Sequence, residues 1–220
     1  MTGRRLVPDP GALALLVIGA VALTLCALPI DRHRVSDAEV DVFRAVNDPT
    51  LAPFVVVWPI MQLGNFLVVP VAAAVAAAFR KWWLALGLLV AGLVAYELAA
   101  DVVRGLVERG RPPALLPDVH IRGSAAGGLG FVSGHVAVIT TLAVVAWPYL
   151  GRIGRVIAIL VPVVVAVARV NVGAHFPLDV AGGAALGLAV GGAVRLALGY
   201  LSARRRAGES ARIPASTRRG

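Results

Sequence analysis

The sequence predicts an all-α integral membrane protein, a six-helix bundle with both termini on the cytoplasmic side. Three observations predict it. The chain is 59% hydrophobic with a mean hydropathy of +0.84, well above the roughly 45–50% apolar content of a soluble domain. The apolar residues fall in uncharged runs long enough to cross about 30 Å of hydrocarbon as helix. The charged residues lie between those runs, with most of the basic ones on alternate connections.

The first run, 11–30, carries no charge and follows Arg4 and Arg5. No small-x-small cleavage pattern follows it, so it is read as a retained span. The polar stretch 31–50 has Val35, Val40, Phe43 and Val46 placed to line one side of a short surface helix. The second span is expected over 54–79, kinked at Pro59, Gly64 or Pro70. Arg80 and Lys81 end it, and Trp82 and Trp83 anchor a third span over 83–103 at the interface. A loop rich in Gly, Pro and Arg follows. The remaining spans are expected over 131–150, 153–169 and 177–200. In the last, Gly183, Gly187 and Gly191 recur every four residues, a face for close helix packing inside the bundle. Residues 1–203 make one domain, and 204–220 read as a basic disordered tail.

Six spans put both termini on one side, with thirteen basic against two acidic residues; the other side has eight against ten. Basic residues near span ends mark the cytoplasmic side, so the protein is expected as a multi-pass protein of the cell (inner) membrane. The net charge of +9 does not point to nucleic acid, because the basic residues form no stripe interleaved with aromatics. Cys26 is the only cysteine, which excludes an intrachain disulfide and a thiolate metal site. Carboxylates and histidines do not cluster at metal-ligand spacings, so no metal or other cofactor is expected.

Three polar clusters stand out. Arg104 and Arg111 follow the third span, Ser133, Gly134 and His135 open the fourth, and Arg169, His175 and Asp179 bridge the fifth and sixth. All three fall on the outer face, where ionisable groups at membrane depth are functional candidates. Three arginines suit an anion with several oxygens, because a guanidinium matches phosphate bidentately. A helix opening at Ser133 offers backbone N–H groups and a positive dipole end. Two histidines can divide nucleophilic and acid–base work, with a carboxylate to orient one ring.

The spacings Arg104-x6-Arg111-Pro112, Val132-Ser133-Gly134-His135 and Ala168-Arg169-x5-His175-x3-Asp179 resemble the type 2 phosphatidic acid phosphatase superfamily of membrane lipid phosphatases. That family carries Lys-x6-Arg-Pro, Pro-Ser-Gly-His and Ser-Arg-x5-His-x3-Asp. Here Arg104 replaces the Lys, Val132 the Pro and Ala168 the Ser; none of these changes removes a group that attacks phosphorus or transfers a proton. The resemblance implies a metal-independent lipid phosphate or diphosphate phosphatase working through a phosphohistidine. It makes His175 the nucleophile, Asp179 the holder of its ring, and His135 the acid and then base. Phosphate binding falls to Arg104, Arg111, Ser133, Gly134 and Arg169.

Each residue also has a plainer reading. Ser133 suits an N-cap, and Asp179 suits the third position of a helix that Pro177 opens. Arg104 shares a helical stripe with Glu97, Asp101 and Glu108 and can pair along it. His120 and Arg122 lie in the long outer loop, where they could touch a head group but read more plainly as solvated loop residues. The expected partner is a membrane lipid phosphate of the phosphatidic acid, phosphatidylglycerophosphate or polyprenyl diphosphate type. A lipid phosphotransferase sharing the phosphohistidine step is the alternative, and a non-catalytic or transport protein a more distant one.

Overall fold

A computed structural model describes residues 9–123 and 127–212. Ten α-helices run in order: α1 (Pro10–Ala27), α2 (Asp37–Val46), α3 (Phe54–Gln62), α4 (Val68–Ala78), α5 (Trp82–Glu97), α6 (Arg104–Val107), α7 (Pro112–Leu115), α8 (Gly134–Ala146), α9 (Arg152–Asn171) and α10 (Pro177–Arg212). Among the described residues, four helical stretches are long and apolar enough to cross a membrane: Pro10–Ala27, Trp82–Val107, Arg152–Asn171 and Pro177–Arg204. Val68–Ala78 and Gly134–Tyr149 are shorter apolar helices. Large apolar side chains such as Val17, Val71, Ile159 and Val163 point outward from them, as helices bathed in hydrocarbon require.

Three expected boundaries change. The run 54–79 is two helices, α3 and α4, broken over 63–67. Pro59 sits inside α3 without ending it; the break falls at Gly64 and Asn65. The Asn65 Oδ1 accepts the Leu67 N–H at 3.0 Å, a local bond that competes with the helix ladder. The expected span 83–103 continues to Val107, through a π-helical segment over Leu98–Val103. Finally, α10 stays helical to Arg212, through the start of the segment expected as a disordered tail. Residues 213–220 of that tail lie outside the described residues.

The core is built on α8 and α10. Gly187 and Gly191 let α8 come so close that a Cβ would stand 2.6 Å from Thr140 Cβ and 2.7 Å from Val144 Cβ. The glycine stripe therefore faces a neighbouring helix of the same bundle. On the opposite side α1 lies against α10, where a Cβ at Gly19 would overlap the Ala189 backbone nitrogen. The Asp9 side chain caps α1 by accepting the Gly11 and Ala12 N–H groups and pairs with Arg195 of α10. Amphipathic α2 lies across the end of the bundle with Phe43 buried against Phe176, ring centroids 5.2 Å apart.

Candidate active site

Five segments meet at the end of the bundle that α2 covers. Pro177 opens α10, and Phe176 before it is its cap residue. Asp179, in the third helical position, turns back so that its Oδ2 accepts the Phe176 N–H at 2.8 Å, half of a capping box. The carbonyl oxygen of Asp179 accepts the Ser133 N–H at 2.9 Å, fixing the start of α8 beside the start of α10. Gly64 completes the junction. A Cβ there would lie 2.6 Å from the His135 carbonyl oxygen, so the α3–α4 break can touch α8 only because this residue has no side chain.

His175 lies in the turn between α9 and α10 and is almost wholly buried. Its Nδ1 is 3.0 Å from the Gly130 carbonyl oxygen. A carbonyl only accepts, so Nδ1 carries the proton and Nε2 keeps its lone pair. Burial pushes the imidazole well below its ordinary pKa, helped by the charges of Arg169, Arg111 and Arg104 and opposed by the Gly130 bond. A neutral ring with a bare Nε2 is what a nitrogen nucleophile requires.

The Asp179 Oδ2 stands 3.7 Å from His175 Nδ1, an ion-pair distance, while the direct hydrogen bond to Nδ1 is the Gly130 carbonyl's. Asp179 also belongs to a buried network that the sequence does not reveal. Arg109, 1% exposed, donates from Nη1 to Asp179 Oδ1 at 3.1 Å and to Glu39 Oε1 at 3.1 Å, and from Nη2 to Glu39 Oε2 at 2.6 Å. Its guanidinium stacks over Phe176, 4.4 Å from the ring centroid. Glu39 also accepts the Leu178 N–H at 3.0 Å, and the Arg109 carbonyl accepts from Gly130 at 2.7 Å. Through Gly130, this network reaches the atom that holds His175. One signal was available: Glu39 lies four residues before Phe43, on the same face of α2.

Arg104, Arg111, Gly134, His135, Arg169 and His175 line one cavity of about 260 Å³ with the α3–α4 break and Tyr96. Of the residues singled out from the sequence, Ser133 and Asp179 do not line this cavity. Arg104 does not pair along its helical stripe; it donates from Nη2 to the Val132 carbonyl at 3.3 Å, while Glu108 pairs with Arg32. Arg169 is buried and donates to Met61 Sδ at 3.6 Å. Burial and the neighbouring Arg104 lower the Arg111 pKa, and Asp179 opposes them. The Ser133 Oγ is buried and has no hydrogen-bond partner among the described residues. Ser133 opens α8 but makes no side-chain cap bond, so the plain N-cap reading fails. Convergent guanidiniums at a helix N-terminus make a site for a multiply charged oxyanion. Among the described residues, no three His, Cys, Asp or Glu side chains group to hold a metal ion.

The model of the PAP2 superfamily matches residues 80–202. Decaprenylphosphoryl-5-phosphoribose phosphatases from two strains of Mycobacterium tuberculosis (CDC 1551 / Oshkosh and ATCC 25618 / H37Rv) are 33% identical over 119 residues, 52% of this chain. The match spans 60% of the length of those relatives. A transmembrane PAP2-type phosphatidylglycerolphosphate phosphatase from Bacillus subtilis superposes with a TM-score of 0.62 at 23% identity, covering 83% of this chain and 93% of the other. LpxE from Aquifex aeolicus superposes with a TM-score of 0.60 at 25% identity, covering 76% and 99%.

Proposed function

Because the chain belongs to the PAP2 superfamily, we propose that it is a membrane lipid phosphate phosphatase acting through a phosphohistidine on His175. The observation that carries this reading is the His175 ring itself. Its Nδ1 is held by the Gly130 carbonyl at 3.0 Å, and it shares a cavity with His135 and three arginines.

Those positions support the following steps. The Nε2 lone pair of His175 attacks phosphorus. The bond from phosphorus to the leaving oxygen breaks, and its electron pair stays on that oxygen, which takes a proton from His135. Water then attacks the phosphohistidine and gives a proton to His135. The P–N bond breaks, its electrons return to Nε2, and inorganic phosphate leaves. Arg104, Arg111 and Arg169 neutralise the equatorial oxygens, with the Ser133 hydroxyl and the Gly134 N–H as further donors. Nothing in these steps calls on a metal.

In the membrane, α1, the α3–α4 pair, α5 with α6, α8, α9 and α10 act as six crossings. Both termini are cytoplasmic and the site faces the extracytoplasmic side of the cell membrane; the distribution of basic residues supports this. Phosphatidic acid, phosphatidylglycerophosphate and polyprenyl diphosphates fit the site chemistry. The name of the mycobacterial relatives favours polyprenyl lipids among them. The test is phosphate release in EDTA by the detergent-solubilised protein on each lipid, beside His175→Ala. Release that vanishes in the variant supports the reading. Release that persists, or that needs an added divalent metal, overturns the mechanism.

A further inference from the structure

A second chamber of about 270 Å³ adjoins the first, and Asn65, His135 and Arg169 line both. His175 lines only the first; Gln62 and Arg122 line only the second. Arg122 belongs to the loop that the sequence reads as solvated, yet its position is built. Its backbone N–H bonds the Val172 carbonyl at 3.1 Å, and its Nη1 donates to the Ala52 carbonyl at 2.8 Å. Two residues earlier, Asn47 fixes the same loop by exchanging two bonds of 2.9 Å with the His120 backbone. The Nε and Nη2 atoms of Arg122 are buried and have no partner among the described residues, and the same holds for Nε of Arg169. The second chamber thus has two guanidinium-bearing side chains in its wall, Arg122 and Arg169. Gln62 and Asn65 stand beside them, their amides bonded at 3.1 Å. No carboxylate lines the chamber.

Phosphoryl transfer places the attacking and leaving atoms roughly in line across phosphorus. With His175 attacking from the first chamber and His135 at the boundary, the leaving oxygen points toward the second. We propose that the second chamber is an anion subsite for the leaving group, taking a second phosphoryl group between Arg122 and Arg169. The preferred lipids then carry two phosphorus atoms, as a diphosphate or as a phosphodiester linked through a sugar to the scissile phosphate. This inference rests on the phosphatase reading above for its direction, and on the Arg122 geometry for its charge.

The test compares three lipids of one tail length: a polyprenyl monophosphate, a polyprenyl diphosphate and a polyprenylphosphoryl pentose phosphate. We expect kcat/KM for at least one two-phosphorus lipid to exceed that for the monophosphate tenfold or more, as hydrogen bonds to a charged group allow. Whichever of the two is favoured identifies the source of the second phosphoryl group. The ratio should collapse toward one in Arg122→Gln and recover in part in Arg122→Lys. A ratio near one in the wild type, or one unchanged in Arg122→Gln, overturns the subsite. Binding of methylenediphosphonate and methylphosphonate to the wild-type protein gives an answer that needs no turnover. Diphosphonate bound at least tenfold tighter, with the advantage lost in Arg122→Gln, supports the subsite even if no lipid is hydrolysed and the phosphatase reading falls. Equal binding of the two overturns it.

Discussion

Arg109 lies buried between Glu39 of α2 and Asp179 of α10, two carboxylates far apart in sequence. Removing one partner of a buried ion pair costs about 3–5 kcal/mol, because the remaining charge is left buried and uncompensated. Arg109→Ala is therefore expected to lower the thermal midpoint in detergent markedly, and Arg109→Ala combined with Glu39→Gln to lower it less than the sum of the two. Additive effects in that double-mutant cycle would show that the two residues do not act as a unit. His175 supplies a prediction in pH. Its folded pKa lies well below the ordinary value, chiefly through burial, whereas the unfolded chain protonates near 6.5. Below that pH the unfolded state binds a proton that the folded state refuses, so stability falls as pH drops, by at most about 1.4 kcal/mol per pH unit. Thermal midpoints from pH 7.5 to 5 should decline less steeply in His175→Asn than in the wild type. His175, His135 and the three cavity arginines were legible in the sequence because their spacing is local. Gly130 was not, since a backbone carbonyl carries no side-chain signature.

The elements show the same division between local and distant causes. Hydropathy finds helices because twenty apolar residues in a row are visible to any short window. It joined α3 to α4 because the five residues between them are hardly less apolar than their neighbours. The break depends on Asn65 bonding the Leu67 N–H and on Gly64 seated against His135, and only the second of these needs the rest of the fold. Gly64→Ala puts a methyl 2.6 Å from the His135 carbonyl oxygen and 2.9 Å from its Cβ, so the start of α8 must shift. Misplacing a reacting group by about 1 Å can cost about a hundredfold in rate. We expect Gly64→Ala to lose tenfold or more in kcat/KM while the protein stays folded. Gly105→Ala in α6, where nothing lies within 4 Å of the added carbon, is the control. Equal activity of the two variants would remove the α3–α4 break from the account of the site.

For the whole molecule, the question that follows from the site is which side of the membrane it faces, because that decides which lipid headgroups reach it. The elements that form the cavity all gather at the end of the bundle beneath α2, while Arg80 and Lys81 lie on the short connection between α4 and α5, and Arg152 and Arg155 in the first turn of α9. Basic residues near span ends resist translocation, so the charge pattern predicts that the cavity end is exported. The chain has one native cysteine, Cys26, which makes the prediction direct to check. In a Cys26→Ser background, a cysteine replacing exposed Asp118, beside the cavity loop, should react with a membrane-impermeant maleimide in intact cells. A cysteine replacing Gly151, where nothing lies within 4 Å of an added carbon, should react only after permeabilisation. The reverse pattern would put the phosphate site in the cytoplasm. Labelling of both positions in intact cells would mean that α8 with its following turn does not cross the bilayer, and the six-crossing topology would fall with it.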